Sequence, residues 1–141
     1  MRGAEHGRLG LFVGGLLFGG LVSSGLCLAA LFATRAAGLV LEVGLAGAGG
    51  TIRIGAFEVL MACFAASAGA TALALVLRTR LRRFSAAFLA ISGALLAVSM
   101  AGPLGSPGVL PTVRAVLVVL HLLAAAGIVV PVMVILVPAR R

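Results

Sequence analysis

Lysine, aspartate, tryptophan and tyrosine are absent from this chain, and acid is scarce: three glutamates stand against eleven arginines. Without aspartate there is no Ser-His-Asp set, and without lysine no glycine-rich phosphate loop of the Lys-terminated kind. No enzyme constellation remains, so the chain is expected not to be an enzyme and to need no cofactor. Nucleic-acid binding is also excluded as an expectation, because the aromatic interleaving on which single strands stack is missing. Cysteine is limited to Cys27 and Cys63, each inside an apolar run and not in a CxxC, which argues against a disulfide framework and a thioredoxin-like or quinone-coupled thiol motif. Cys27, Cys63, His6 and His121 are scattered without ligand spacing, so no metal site is expected.

What is present is apolar. Of 141 residues, 62% are hydrophobic and 10% charged, and the net charge is +8. No soluble domain of this length has interior enough for that much apolar side chain. The composition places the chain in the membrane class, with the bilayer as its first partner. Its Arg-only, Ala/Gly/Val/Leu-rich usage is associated with high-GC bacterial genomes, and a bacterial cytoplasmic membrane is the expected location.

Four apolar segments, at 9–33, 56–77, 84–101 and 115–137, are long enough to cross a hydrocarbon core of ~30 Å as helices. The alternating ten-residue strands of a closed barrel are missing, and lipid admits no other backbone. The expected fold is an all-α integral membrane protein, a single four-helix domain over 1–141. "MRGAEHGR" could pass for the basic start of a signal peptide, but the apolar run after it far exceeds a signal h-region of ~7–15 residues. A retained anchor is expected.

The arginines sit at the ends of the runs. Arg2 and Arg8 precede the first, "RTRLRR" with Arg78, Arg80, Arg82 and Arg83 joins the second to the third, and Arg140 and Arg141 follow the fourth. Arg35, Arg53 and Arg114 lie on the opposite side. The positive-inside rule makes both termini and "RTRLRR" cytoplasmic. Of the outer connections, "AGPLGSPGVLPT" reads as a turn-containing loop. The longer "TRAAGLVLEVGLAGAGGTIRIG" fits either an interfacial segment or a small re-entrant cap.

Close packing of small residues holds helices together in lipid. Gly10 with Gly14 and Gly15 with Gly19, in "GLFVGGLLFGGLVSSG", have GxxxG spacing. On the second helix Glu58, Ala62, Ala65, Gly69 and Ala72 form the expected contact face. The two halves of the chain show no internal repeat.

His121, in "AVLVVLHLLAAAGIVVPV", lies about seven residues into the fourth segment, ~10 Å from its outer end. Arg114 is two turns earlier, and Ala124 and Ala125 continue the same side. Glu58, with Arg53 just before it, opens the second helix from the outer side, and Ser99 closes the third. The expected polar cluster is His121, Glu58, Arg114, Ser99 and Arg53. Intramembrane ionisable groups raise a functional hypothesis, here proton carriage by His121 and Glu58. Each has a structural alternative: the histidine joins two helices through one hydrogen bond, and Glu58 caps its helix with Gly55 ahead of it.

The series "LRTRLRR", "SGALLAVSMAGPLG" and "VRAVLVVLHLLAAAGIVVPV" resembles an actinobacterial family of small four-helix membrane proteins, the domain of unknown function 6069. In that family a basic cytoplasmic loop precedes a helix with a Ser-Leu-then-Gly-Pro type ending. The final helix carries a Met-His type pair and a later Pro. Ser99, Gly102, Pro103, His121 and Pro131 correspond, with Met100 and Leu120 as departures. The resemblance covers 78–137, implies the four-helix fold and supplies no substrate. Two function classes stay open: a non-enzymatic bundle that packs with a second copy or a membrane-protein partner, and a small oligomeric proton-coupled transporter using Glu58 and His121.

Overall fold

The computed structural model describes residues 2–44, 51–105 and 109–136, with side chains described outside 2–6, 8, 43, 44, 51 and 52. The expectations on His6, Arg2, Arg8, Arg140 and Arg141 lie outside the described residues or side chains, as do position 137 and the middles of the two outer connections. Among the described residues the elements run α1 (Arg2–Ala36), two short strands β1 (Glu42–Gly44) and β2 (Thr51–Arg53), then α2 (Ala56–Arg80), α3 (Phe84–Ser99), α4 (Ala101–Gly105) and α5 (Pro111–Leu136). Four stretches, Leu9–Ala36, Ala56–Arg80, Phe84–Gly105 and Pro111–Leu136, are long and apolar enough to cross a membrane. This is a multi-pass membrane architecture. Leu9, Val13, Leu17 and Leu21 form an exposed apolar stripe along α1, a liability in water and the ordinary surface in lipid.

The third span runs beyond its expected end. "AGPLG", read above as the start of a loop, forms α4, and Leu104 N–H donates to Met100 C=O at 3.0 Å. Pro103 fits because it lies in a first turn, where a backbone N–H has no intrahelical acceptor to lose.

Between the first two spans the described residues form a turn and a short hairpin. At α1's end, Gly38 adopts φ +76. Gly38 N–H donates to Arg35 C=O and Leu39 N–H to Thr34 C=O, the paired bonds of a Schellman stop that favours glycine. The chain then enters an antiparallel hairpin with Glu42 opposite Arg53 and Gly44 opposite Thr51. Ile54 N–H donates to Leu41 C=O at 2.9 Å, and Arg35 Nη2 donates to Ile54 C=O at 3.2 Å. The first bond closes the base of the hairpin, and the second fastens its exit to the C-terminal end of α1. Two three-residue strands leave the architecture a helical bundle.

Helix α1 packs against both α2 and α5. Its glycines make this possible: a Cβ on Gly15 would lie 2.6 Å from Thr71 Cγ2, and one on Gly19 2.6 Å from Ser67 Oγ. Ser67 Oγ lies 3.2 Å from Gly15 C=O and 3.1 Å from Leu16 C=O, bonding α2 to α1. On the other side Gly127 of α5 meets the backbone of Ser23, where a Cβ would come to 2.6 Å from Cα. These positions correct two expectations. Gly10 and Gly14 meet nothing within 4 Å. The contact face of α2 is Val59, Cys63, Ser67, Thr71 and Ala74, whereas Glu58, Ala62, Ala65, Gly69 and Ala72 are exposed. Hydroxyl-to-carbonyl bonding at the glycine notches selects the polar stripe over the smallest one.

Helix α3 is peripheral. Phe88 is its one buried residue, lodged with Ala74, Ile128, Val132 and Leu136. Farther along, α3 stands off from α2 and α5, and a cavity opens between them.

Candidate functional site

The cavity has a volume of about 660 Å³ and is bordered by α2, α3 and α5, with Cys27 of α1 at its back. That size suits a small organic molecule, and a mostly apolar wall with a few polar groups is the usual make-up of a ligand pocket. Gly69, Ala62 and Ala66 line the α2 wall, Leu95 and Leu96 the α3 wall, and Ala124 and Ala125 the α5 wall. Small side chains on two walls make the space, because they cannot reach across to α3.

Three of the five residues expected as a polar cluster, Glu58, Ser99 and His121, line this cavity together. Arg53 and Arg114 do not line it: Arg53 ends β2, exposed, and Arg114 is half-buried in the first turn of α5. Glu58 is exposed, and its Oε2 accepts the Gly55 N–H at 2.9 Å. The acid thus reaches back over the start of α2, satisfying a donor the helix leaves unpaired and placing negative charge at the positive end of the dipole. Ser99 Oγ donates to Leu96 C=O at 2.7 Å.

His121 is half-buried, and its Nδ1 lies 2.8 Å from Leu117 C=O. A carbonyl accepts only, so Nδ1 carries the proton and, in the neutral ring, Nε2 carries the lone pair. The bond stays within α5. A histidine joining two helices was the structural alternative, and this contact instead holds the ring against its own helix while the residue lines the cavity.

Sequence reasoning missed the cysteines. Cys27 and Cys63 are both free and almost completely buried, at 2% and 3% exposure. They share one core cluster with Val59, Leu117 and Leu120, and both line the cavity. Cys27 Sγ also donates to Leu120 C=O of α5 at 3.5 Å. The signal that could have found the pair is depth. Cys27 lies nine residues before the end of α1 and Cys63 seven after the start of α2, roughly 10–14 Å along each helix from the same side. Ser23 and Ser24, about one turn before Cys27 on α1, are buried as well.

Residues 10–137 match the Family of unknown function (DUF6069). The chain belongs to this family. The match reaches well beyond the C-terminal half that carried the resemblance, and α2, α3, α5 and Cys27 of α1 lie within it. A DUF6069 chain is therefore a multi-pass helical bundle here, with the cavity and cysteine pair inside the family's own span. Neither the curated proteins nor the solved structures gave a match.

Proposed function

We propose that this DUF6069 protein resides in the bacterial cytoplasmic membrane, with both termini and "RTRLRR" on the cytoplasmic side. It works there by binding a lipid-soluble small molecule within the helical bundle. The single observation that carries this reading is the cavity of about 660 Å³ between α2, α3 and α5, walled by small and apolar side chains. Its third wall, α3, holds to the bundle through one buried phenylalanine, so a ligand can enter sideways from the bilayer. The arginine asymmetry supports the orientation.

Photolabelling tests the reading. A diazirine-bearing apolar probe in vesicles should mark Leu95, Leu96 and Ala125 in preference to Leu9 and Leu17. Gly69→Phe, which has open space for its side chain, should fill the cavity and abolish that preference. Even labelling of all lipid-facing positions, or labelling insensitive to Gly69→Phe, refutes it.

A second reading, proton-coupled transport by an oligomer, is favoured by one observation: Glu58, Ser99 and His121 line the same cavity. It requires His121→Ala and Glu58→Gln to abolish proton flux in proteoliposomes.

A further inference from the structure

We propose that Cys27 and Cys63 form a reversible intramolecular disulfide within the membrane, oxidised by a quinone-class molecule that occupies the α2–α3–α5 cavity. This rests on the cavity being a binding site for lipid-soluble molecules, and it names the class.

The geometry brings together what such a reaction needs. The two thiols sit in one packed cluster on different helices, both are free, and both line the cavity despite being buried in the protein. Buried cysteines are commonly inert small hydrophobes. These differ because each has a sulfur partner and a shared open space. Among the described residues no group of three His, Cys, Asp or Glu is placed to hold a metal ion. The chemistry that remains to a pair is the two-electron dithiol–disulfide couple.

The oxidant follows from the location. At roughly 10–14 Å along their helices the thiols lie inside the hydrocarbon region, out of reach of charged or water-borne oxidants. An oxidant must be apolar, take two electrons and fit the cavity, and a membrane quinone does all three. Its ring suits the apolar walls, the Ser92 hydroxyl can donate to a quinone oxygen, and the lone pair on His121 Nε2 can accept from the hydroxyl that forms on reduction. In the reaction two S–H bonds break and one S–S bond forms. Both electrons and both protons pass to the quinone, whose carbonyl oxygens become the hydroxyls of the hydroquinone.

Ser24 supplies an independent indication. Its hydroxyl is buried at 3% exposure and has no hydrogen-bond partner among the described residues. An orphaned buried hydroxyl is costly, and this one lies one turn before Cys27 on the same side of α1, near where a sulfur acquires negative charge during disulfide exchange. Oxidation also has a structural consequence. Once Cys27 has lost its proton it no longer donates to Leu120 C=O, so the bond that ties α1 to α5 at this depth is exchanged for a covalent tie from α1 to α2.

The test uses the full chain, reduced, in anaerobic lipid nanodiscs. Decylubiquinone, whose fully substituted ring resists addition of thiols, is supplied, and free thiols are then counted by alkylation in denaturant and mass spectrometry. The expected result is loss of both alkylatable cysteines, a Cys27–Cys63 linked peptide and one hydroquinone per disulfide. Cys27→Ser and Cys63→Ser should each end hydroquinone formation, and Gly69→Phe, which keeps both thiols, should slow it at least tenfold. Diamide, a lipid-permeable oxidant, is run in parallel and separates the two halves of the idea. If diamide also leaves both thiols free, the pairing is overturned. If diamide closes the disulfide and decylubiquinone does not, the quinone assignment is overturned, and photolabelling of the cavity still decides the binding reading by itself.

Discussion

Replacing Gly127 with alanine adds a single methyl group where α5 crosses α1. That methyl would sit 2.6 Å from Ser23 Cα, 2.9 Å from Ser23 N and 3.0 Å from Ser23 Cβ. Ordinary contact begins at 3.4 Å, so the helices must separate by about 0.8 Å. The obstruction is backbone, and no rotamer change relieves it. Overpacking of this kind costs ~1–3 kcal/mol, and a rigid obstacle places Gly127→Ala toward the top of that range. Against it stands the gain of ~1 kcal/mol from replacing glycine with alanine inside a helix. The net expectation is a loss of about 2 kcal/mol. Reversible unfolding in mixed detergent micelles, followed by helix-sensitive circular dichroism or by a dye pair on α1 and α5, measures it. Gly14→Ala is the control, because a Cβ there meets nothing within 4 Å, and it should be neutral or slightly stabilising. If Gly127→Ala behaves like Gly14→Ala, the α1–α5 seam is not packed as described.

Ser67→Ala removes the hydroxyl shared between Gly15 and Leu16 carbonyls and should cost about 1 kcal/mol in the same unfolding titration, the usual scale for interhelical bonds in lipid. Phe88→Ala should loosen α3 at about 2 kcal/mol, below the range for water-soluble cores because lipid is the alternative environment. Protease or spin-label accessibility along α3 reports this loosening. Glu58→Gln keeps an oxygen for the Gly55 N–H and should leave the unfolding midpoint nearly unchanged. Glu58→Ala should lose about 1 kcal/mol, and equal effects of the two would sink the capping role. A cysteine introduced at Thr79 of the variant lacking Cys27 and Cys63 should react with an impermeant maleimide only from the cytoplasmic face. One at Ala37 should react only from the other.

The span pattern was legible because run length and arginine placement depend on the bilayer alone, which acts on each helix separately. What depended on two helices at once was less so. The stripe Ala62, Ala65, Gly69 and Ala72 has the smallest side chains on α2, yet the contact goes to Ser67, whose hydroxyl finds the Gly15 and Leu16 carbonyls on α1, and to Thr71, whose side chain packs into the notch at Gly15. Gly10–Gly14 and Gly15–Gly19 are alike as sequence, and only the second pair meets a partner helix. The shared cavity of Glu58, Ser99 and His121 followed from counting residues from the outer ends. The same count would have put Cys27 beside Cys63, had it been applied to residues without charge. The hairpin at Glu42–Gly44 and Thr51–Arg53 was not legible, since Leu41, Val43 and Leu45 are as apolar as a span and the decisive turn at Gly38 is one residue.

The docking site that Gly127 occupies on α1 has a bearing on how the protein is made. Chains emerge from the ribosome N-terminus first, and α5 is the last of the five helices in chain order. Until it arrives, the α1–α2 pair presents Ser23, Ser24 and Cys27 toward a vacant groove in hydrocarbon. Biogenesis therefore has a waiting state, with polar groups shielded by nothing but lipid or by whatever insertion factor holds the hairpin, and a ribosome stalled before Pro111 would hold it there.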